Sequence, residues 1–149
     1  MRRRCGACGT AREVVSRTSV LLTACASTKG ASHEIFRLAP DHGWVLLATP
    51  YVISEVLNNL IEFPASASAQ WAKLRADLIL LDDVLTLDRP AIFPAGKDRP
   101  ILFSALAWAD VLLTRDIGDF GALLGRSFYE LQVFTPGNFL QQERLAGRL

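Results

Sequence analysis

Asp116 and Asp119 stand directly after the apolar run Val111-Leu112-Leu113-Thr114, with Arg115 between the run and the first acid. Acids at the carboxyl end of a buried strand open onto a crevice, where oxygen donors suit a hard divalent cation. Two further carboxylates, Glu55 and Asp98, lie far upstream and each heads or rides a helical pattern. All four also have ordinary structural roles. Asp116 and Asp119 are good turn formers and caps. Asp98 precedes Arg99-Pro100 and the apolar periodicity of Ile101, Leu102, Ala105 and Leu106, the place of an N-cap. Glu55 lies opposite the stripe Val52, Ile53, Val56, Leu57, Leu60 and Ile61, on a polar face with Asn58, Asn59 and Glu62.

The elements that would position these residues alternate between short apolar runs and helical patterns. Strands are expected at Val20–Ala24, Val45–Ala48, Val111–Thr114 and Gln132–Thr135, each apolar on successive positions, as in parallel strands covered on both faces. Helices are expected at Ser32–Leu38, Pro50–Glu62, Ala67–Asp82, Asp98–Ala109 and Pro136–Gln142. Thr49-Pro50 supplies a cap followed by proline at the first helical position, and Trp71, Leu74, Leu78 and Leu81 recur at spacings of three and four. Asp41-His42-Gly43 and the Pro- and Gly-containing stretch 88–97 separate elements. This order implies an α/β fold: a three-layer sandwich around a mostly parallel central sheet. Residues 1–18 show no apolar periodicity and read as a poorly ordered basic arm, 19–142 as the domain, and 143–149 as a C-terminal tail.

Length and composition narrow the class. With 149 residues, half of them hydrophobic and 21% charged, the chain is one globular domain and not a disordered polypeptide. No apolar run is long enough to span a membrane. The net charge of +1 divides into +5 over residues 1–30 and −4 over the rest, so the body lacks the positive excess of a non-specific nucleic-acid binder. Cys5, Cys8 and Cys25 make neither a disulfide framework nor, with only His33 and His42 to help, a zinc site; a reduced cytoplasmic protein is expected. The run from Ser19 to Cys25 mimics a lipoprotein signal, but Glu13, Ser16 and Arg17 interrupt the apolar stretch that such a signal requires. No Gly-rich phosphate loop and no G-x-S-x-G elbow is present.

The segments taken together carry more than any one of them. Pro50-Tyr51-Val52-Ile53-Ser54-Glu55, Lys97-Asp98-Arg99-Pro100-Ile101-Leu102, Ala109-Asp110 through Arg115-Asp116-Ile117-Gly118-Asp119-Phe120, and Val133-Phe134-Thr135-Pro136-Gly137-Asn138-Phe139-Leu140 follow in an order that resembles the PIN domain family, most closely the bacterial VapC-type toxins. The resemblance spans residues 19–140. It implies a Rossmann-like sandwich and a Mg²⁺- or Mn²⁺-dependent endoribonuclease, the toxin of a toxin–antitoxin pair, with RNA as substrate, an antitoxin protein as partner and a homodimer as assembly. It assigns Glu55, Asp98 and Asp116 to catalysis and metal binding, Asp119 to an accessory metal position, and Thr114 to a supporting hydroxyl. Arg99, Arg115 and Arg126 then lie near the site, where guanidinium groups meet phosphates. In-line hydrolysis is served by bound cations, which lower the pKa of water and neutralise the leaving oxygen.

One position departs from the family. It normally has another acid at the end of the first strand, in a run that matches Arg17-Thr18-Ser19-Val20-Leu21-Leu22 here, so Arg17 stands in an acid's place. A fixed cation among the site carboxylates lowers affinity for a metal ion. Two explanations follow: a catalytically impaired or inactive PIN-fold binding module, or an upstream segment 1–18 translated from a shifted frame or wrong start.

Overall fold

A computed structural model describes residues 11–85, 99–120, 124 and 127–149. Among them, six strands form one sheet: β1 (Arg12–Ser16), β2 (Trp44–Ala48), β3 (Ile79–Leu80), β4 (Val111–Leu113), β5 (Ser127–Phe128) and β6 (Leu131–Phe134), in the order β3-β2-β1-β4-β6-β5. Five of them run parallel, and only β5 is antiparallel, paired with β6. The helices that flank the sheet are α1 (Thr18–Ala26), α2 (Ala31–His42), α3 (Pro50–Leu60), α4 (Ala65–Asp77), α5 (Arg99–Trp108), α6 (Ile117–Phe120) and α7 (Pro136–Leu145). This is the expected α/β architecture.

β2 and β4 read as unbroken apolar runs, as strands covered by helices on both faces do. Val14 and Val15 of β1, all of β4, and Leu131 and Val133 of β6 are essentially inaccessible to water. Val14 stands in register with Leu46 on one side and Val111 on the other, and Leu112 stands in register with Val133. Phe120, Phe139, Leu21 and Ile35 close the core from the helical layers. Gly43, at φ +66°, ends α2 in the left-handed conformation that glycine adopts without strain, and its N–H bonds to the Ala39 carbonyl. In the β5–β6 hairpin, Tyr129 and Glu130 both take positive φ, 48° and 69°, in the two-residue turn that matches strand twist.

Three expectations are corrected. Val20–Ala24 is helix, not strand: it forms the middle of α1, where Val20, Leu21, Leu22, Ala24 and Cys25 are all buried. A short helix packed against α2, α3 and α4 is apolar nearly all round, so periodicity does not distinguish it from a buried strand. The true first strand lies inside the supposed arm, since Arg12–Ser16 is the central strand of the sheet. That removes the ground for a shifted frame, which was the lack of a strand before Val20; residues 1–10 lie outside the described residues. At the other end the domain does not stop at 142. Helix α7 continues to Leu145, and Glu143 is only 1% exposed.

Glu143 is held by two arginines. Arg148 donates from Nε to Oε2 at 2.7 Å and from Nη2 to Oε1 at 2.9 Å, and Arg12 pairs with Oε1 as well. The same Arg12 reaches Gln132 Oε1 at 3.0 Å and lies 5.3 Å from the Phe139 ring centre. The start of β1, the end of α7 and the C-terminal residues are thereby tied together. No helix among the described residues is long and apolar enough to cross a membrane.

Candidate functional site: a cation-filled cleft at the strand ends

The chain builds outward from β1 to β2 and β3, then returns to place β4 on the other side of β1. The strand order therefore reverses between β1 and β4, the position at which open α/β sheets form their ligand crevice beyond the carboxyl ends of the strands. Backbone hydrogen bonds weld this edge. The Arg17 N–H donates to the Leu113 carbonyl at 2.9 Å, and the Thr114 N–H donates to the Phe134 carbonyl at 3.0 Å. Whatever follows β1 and β4 must project into the same space.

An open cleft of about 490 Å³ lies there, lined among others by Arg17, Thr18, Glu55, Asn59, Arg115 and Asp116. Glu55 is half-buried and lines this cleft. Its Oε2 accepts a hydrogen bond from Thr18 Oγ1 at 2.6 Å, joining α3 to the head of α1. Asn59, one turn further along α3, donates from Nδ2 to the Glu55 carbonyl at 2.7 Å. Asp116 is aimed by the turn after β4: its N–H donates to Thr114 Oγ1 at 3.0 Å, and Thr114 is fully buried. Thr114 thus supports the site through the backbone of Asp116.

Arg17 lines the cleft at the N-cap position of α1, where its guanidinium, a donor only, makes no cap to the helix N–H groups. Nη1 lies 3.0 Å from Asp116 Oδ2, with the two side chains 16% and 30% exposed. The guanidinium also sits 5.0 Å from the centre of the Phe120 ring, a buried aromatic face that favours a cation. Arg115 lines the rim and donates from Nη1 to Thr23 Oγ1 on α1.

The remaining expected residues fall differently. Asp98 and Arg126 lie outside the described residues, and of Asp119 only its place in α6 is described. Arg99 is exposed at the start of α5 and does not line this cleft. Thr18, Thr23 and Phe120 were not singled out from sequence. Thr18 carried one available signal, a hydroxyl directly after Arg17 at a chain reversal. Cys25 is buried in α1, and burial pushes its thiol up to about 11, so at neutral pH it is a protonated core residue and a poor nucleophile.

A divalent ion can be tested against these donors. Mg²⁺ and Mn²⁺ want several oxygen ligands with their negative charge available. Among the described residues, no three Asp, Glu, His or Cys side chains gather closely enough to hold an ion. Of the two carboxylates on the cleft, Asp116 is already neutralised by Arg17. The described donors, Glu55 and an Asp116 paired with Arg17, are by themselves too few for such an ion; the other two acids that the resemblance implies, Asp98 and the Asp119 side chain, lie outside the described residues.

Protein-family models, curated proteins and solved structures were all compared with this chain, and none matches it. Its architecture alone, a parallel sheet flanked by helices with β1 central and its strand order reversing beside that strand, makes it a domain consistent with a PIN-like fold.

Proposed function

We propose that the chain is a catalytically silent PIN-type binding module, which takes RNA into the cleft by its phosphates and does not cut it. The observation that carries this reading is the Arg17–Asp116 ion pair at 3.0 Å, between the ends of β1 and β4. A guanidinium offers five fixed donors and a permanent charge, which suits phosphate oxygens. It has no coordination position for water and does not act as a base, so it replaces the binding function of a cation without its power to generate a nucleophile. Arg115 adds a second guanidinium on the rim, and the N-terminus of α1 opens toward the same space.

The test is a short labelled single-stranded RNA, followed by fluorescence anisotropy for binding and by gel for cleavage, in EDTA and in Mg²⁺ or Mn²⁺. Binding is expected in EDTA and unchanged by the metals, with no cleavage above a protein-free control. Arg115→Ala should weaken binding about 3–10-fold and lower the salt slope by about 0.7, the value for one phosphate contact on a single strand. Absence of binding in EDTA would refute the proposal.

A second reading is the metal-dependent endoribonuclease, with its role as a toxin restrained by an antitoxin. It is favoured by the convergence of Glu55 and Asp116, from α3 and from the turn after β4, on one cleft. Its mark in the same experiment is cleavage that needs Mn²⁺ or Mg²⁺ and disappears in Asp116→Asn.

A further inference from the structure

We propose that Arg17 is the resident cation of the cleft: it holds the place of a divalent ion against Asp116, the folded chain binds no Mg²⁺ or Mn²⁺ there, and a carboxylate at position 17 alone converts the cleft into a divalent-cation site. This rests on the metal-free reading of the cleft above, and it is independent of whether RNA is the ligand.

Placement comes first. The Arg17 N–H is bonded to the Leu113 carbonyl, so residue 17 is anchored where β1 and β4 end side by side, and its side chain meets Asp116 there. The pairing is partly withdrawn from water, with the Arg17 side chain 16% exposed, so salt and solvent screen it less than a surface pair. Phe120 backs the guanidinium at 5.0 Å and is itself fully buried, which fixes the direction from which Arg17 approaches the acid. Glu55 lines the same cleft, held by Thr18 at 2.6 Å.

The charge arithmetic then decides which cation wins. A tethered guanidinium needs no association from solution, and it repels a second cation entering the same space. Exchanging it for a carboxylate changes the local charge by two units and sets three acids from three elements around one volume. Two charge units about 6 Å from a doubly charged ion, even with water-like screening, amount to on the order of 100-fold in ion affinity. Removing the positive charge alone, as in Arg17→Gln, amounts to about 10-fold.

The experiment is a Mn²⁺ titration followed by electron paramagnetic resonance, with thermal melts in EDTA and in MnCl2, on the full chain without RNA. Wild type should leave the free-Mn²⁺ signal undiminished and melt at the same temperature in both buffers. Arg17→Asp should take up one Mn²⁺ about 100-fold more tightly and melt higher with the metal than without it. Arg17→Asp combined with Asp116→Asn should lose that uptake. Should Arg17→Asp prove unfolded in EDTA, Arg17→Gln carries the test, with an expected gain of about 10-fold over wild type. Uptake by wild type that Asp116→Asn abolishes, or a folded Arg17→Asp or Arg17→Gln that binds no better than wild type, would overturn the proposal. The reading of the cleft as an RNA site fails separately, by absence of RNA binding in EDTA.

Discussion

Thr114 and Arg17 act on Asp116 from two directions. Thr114 Oγ1 accepts the backbone N–H of Asp116, and Arg17 Nη1 donates to the Asp116 carboxylate within the cleft. Because Thr114 is fully buried, Thr114→Val keeps the shape and removes the acceptor, leaving an amide poorly satisfied. A loss of about 1–2 kcal/mol in urea unfolding is expected, and an unchanged midpoint would show that the hydroxyl does not hold the turn. At this scale the strand-end position of Asp116 is visible in the residue order, whereas Arg17 stands out only through the family resemblance, which puts an acid in its place. What the order does not contain is the partner: nothing in Arg17-Thr18-Ser19 states that the guanidinium turns toward Asp116 and stacks on Phe120, because those contacts are made across the sheet.

Elements were legible where their pattern is unambiguous. β2, β4 and β6 are short apolar runs, and α3 announces itself through Thr49-Pro50 and its stripe. α1 and β1 were not, and for one physical reason. A central parallel strand needs only a few apolar residues, here Val14 and Val15 between charged and polar neighbours, whereas a short helix packed against three others keeps only Thr18, Ser19 and Thr23 as a polar edge, too little to show a helical period. The expected helix Ala67–Asp82 is corrected: α4 ends at Asp77, and Ile79–Leu80 is β3, a two-residue strand exposed at the edge of the sheet. The element that ties the sheet to the C-terminus makes a sharper prediction. Burial alone would raise the Glu143 carboxyl, but the hydrogen bond from Arg148 and the charges of Arg12 and Arg148 outweigh it and hold the group below its ordinary value of 4.5. As pH falls, the unfolded chain therefore takes up the proton first. The stabilisation is complete above about pH 4.5 and is lost as pH drops through the lower folded value. Glu143→Gln should cost about 2–3 kcal/mol at pH 7, with the gap to wild type narrowing below about pH 4.5. A gap that stays constant down to pH 3 in chemical unfolding would contradict the ionic origin of the clamp.

Over the whole molecule, charge and topology point to one place. Residues 1–30 carry +5 and the body from residue 31 onward −4, and the cleft at the β1–β4 reversal draws on both, with Arg17 and Arg115 beside Glu55 and Asp116 as a locally balanced set. Topology brings these residues together: a parallel sheet with β1 at its centre places the residues that follow β1 and β4 side by side, however far apart they are in the chain. That convergence was readable in outline, from the alternation of apolar runs and helices; the state of the cleft was not, since it depends on a single side chain choosing an internal acid. The choice is open to direct observation by anomalous diffraction at the manganese edge, from crystals of the wild-type protein grown in millimolar MnCl2. The expected map shows the Arg17 guanidinium on Asp116 near the present 3.0 Å and no manganese peak between Asp116 and Glu55. A manganese peak bound to Asp116, with Arg17 turned out of the cleft, would contradict the account.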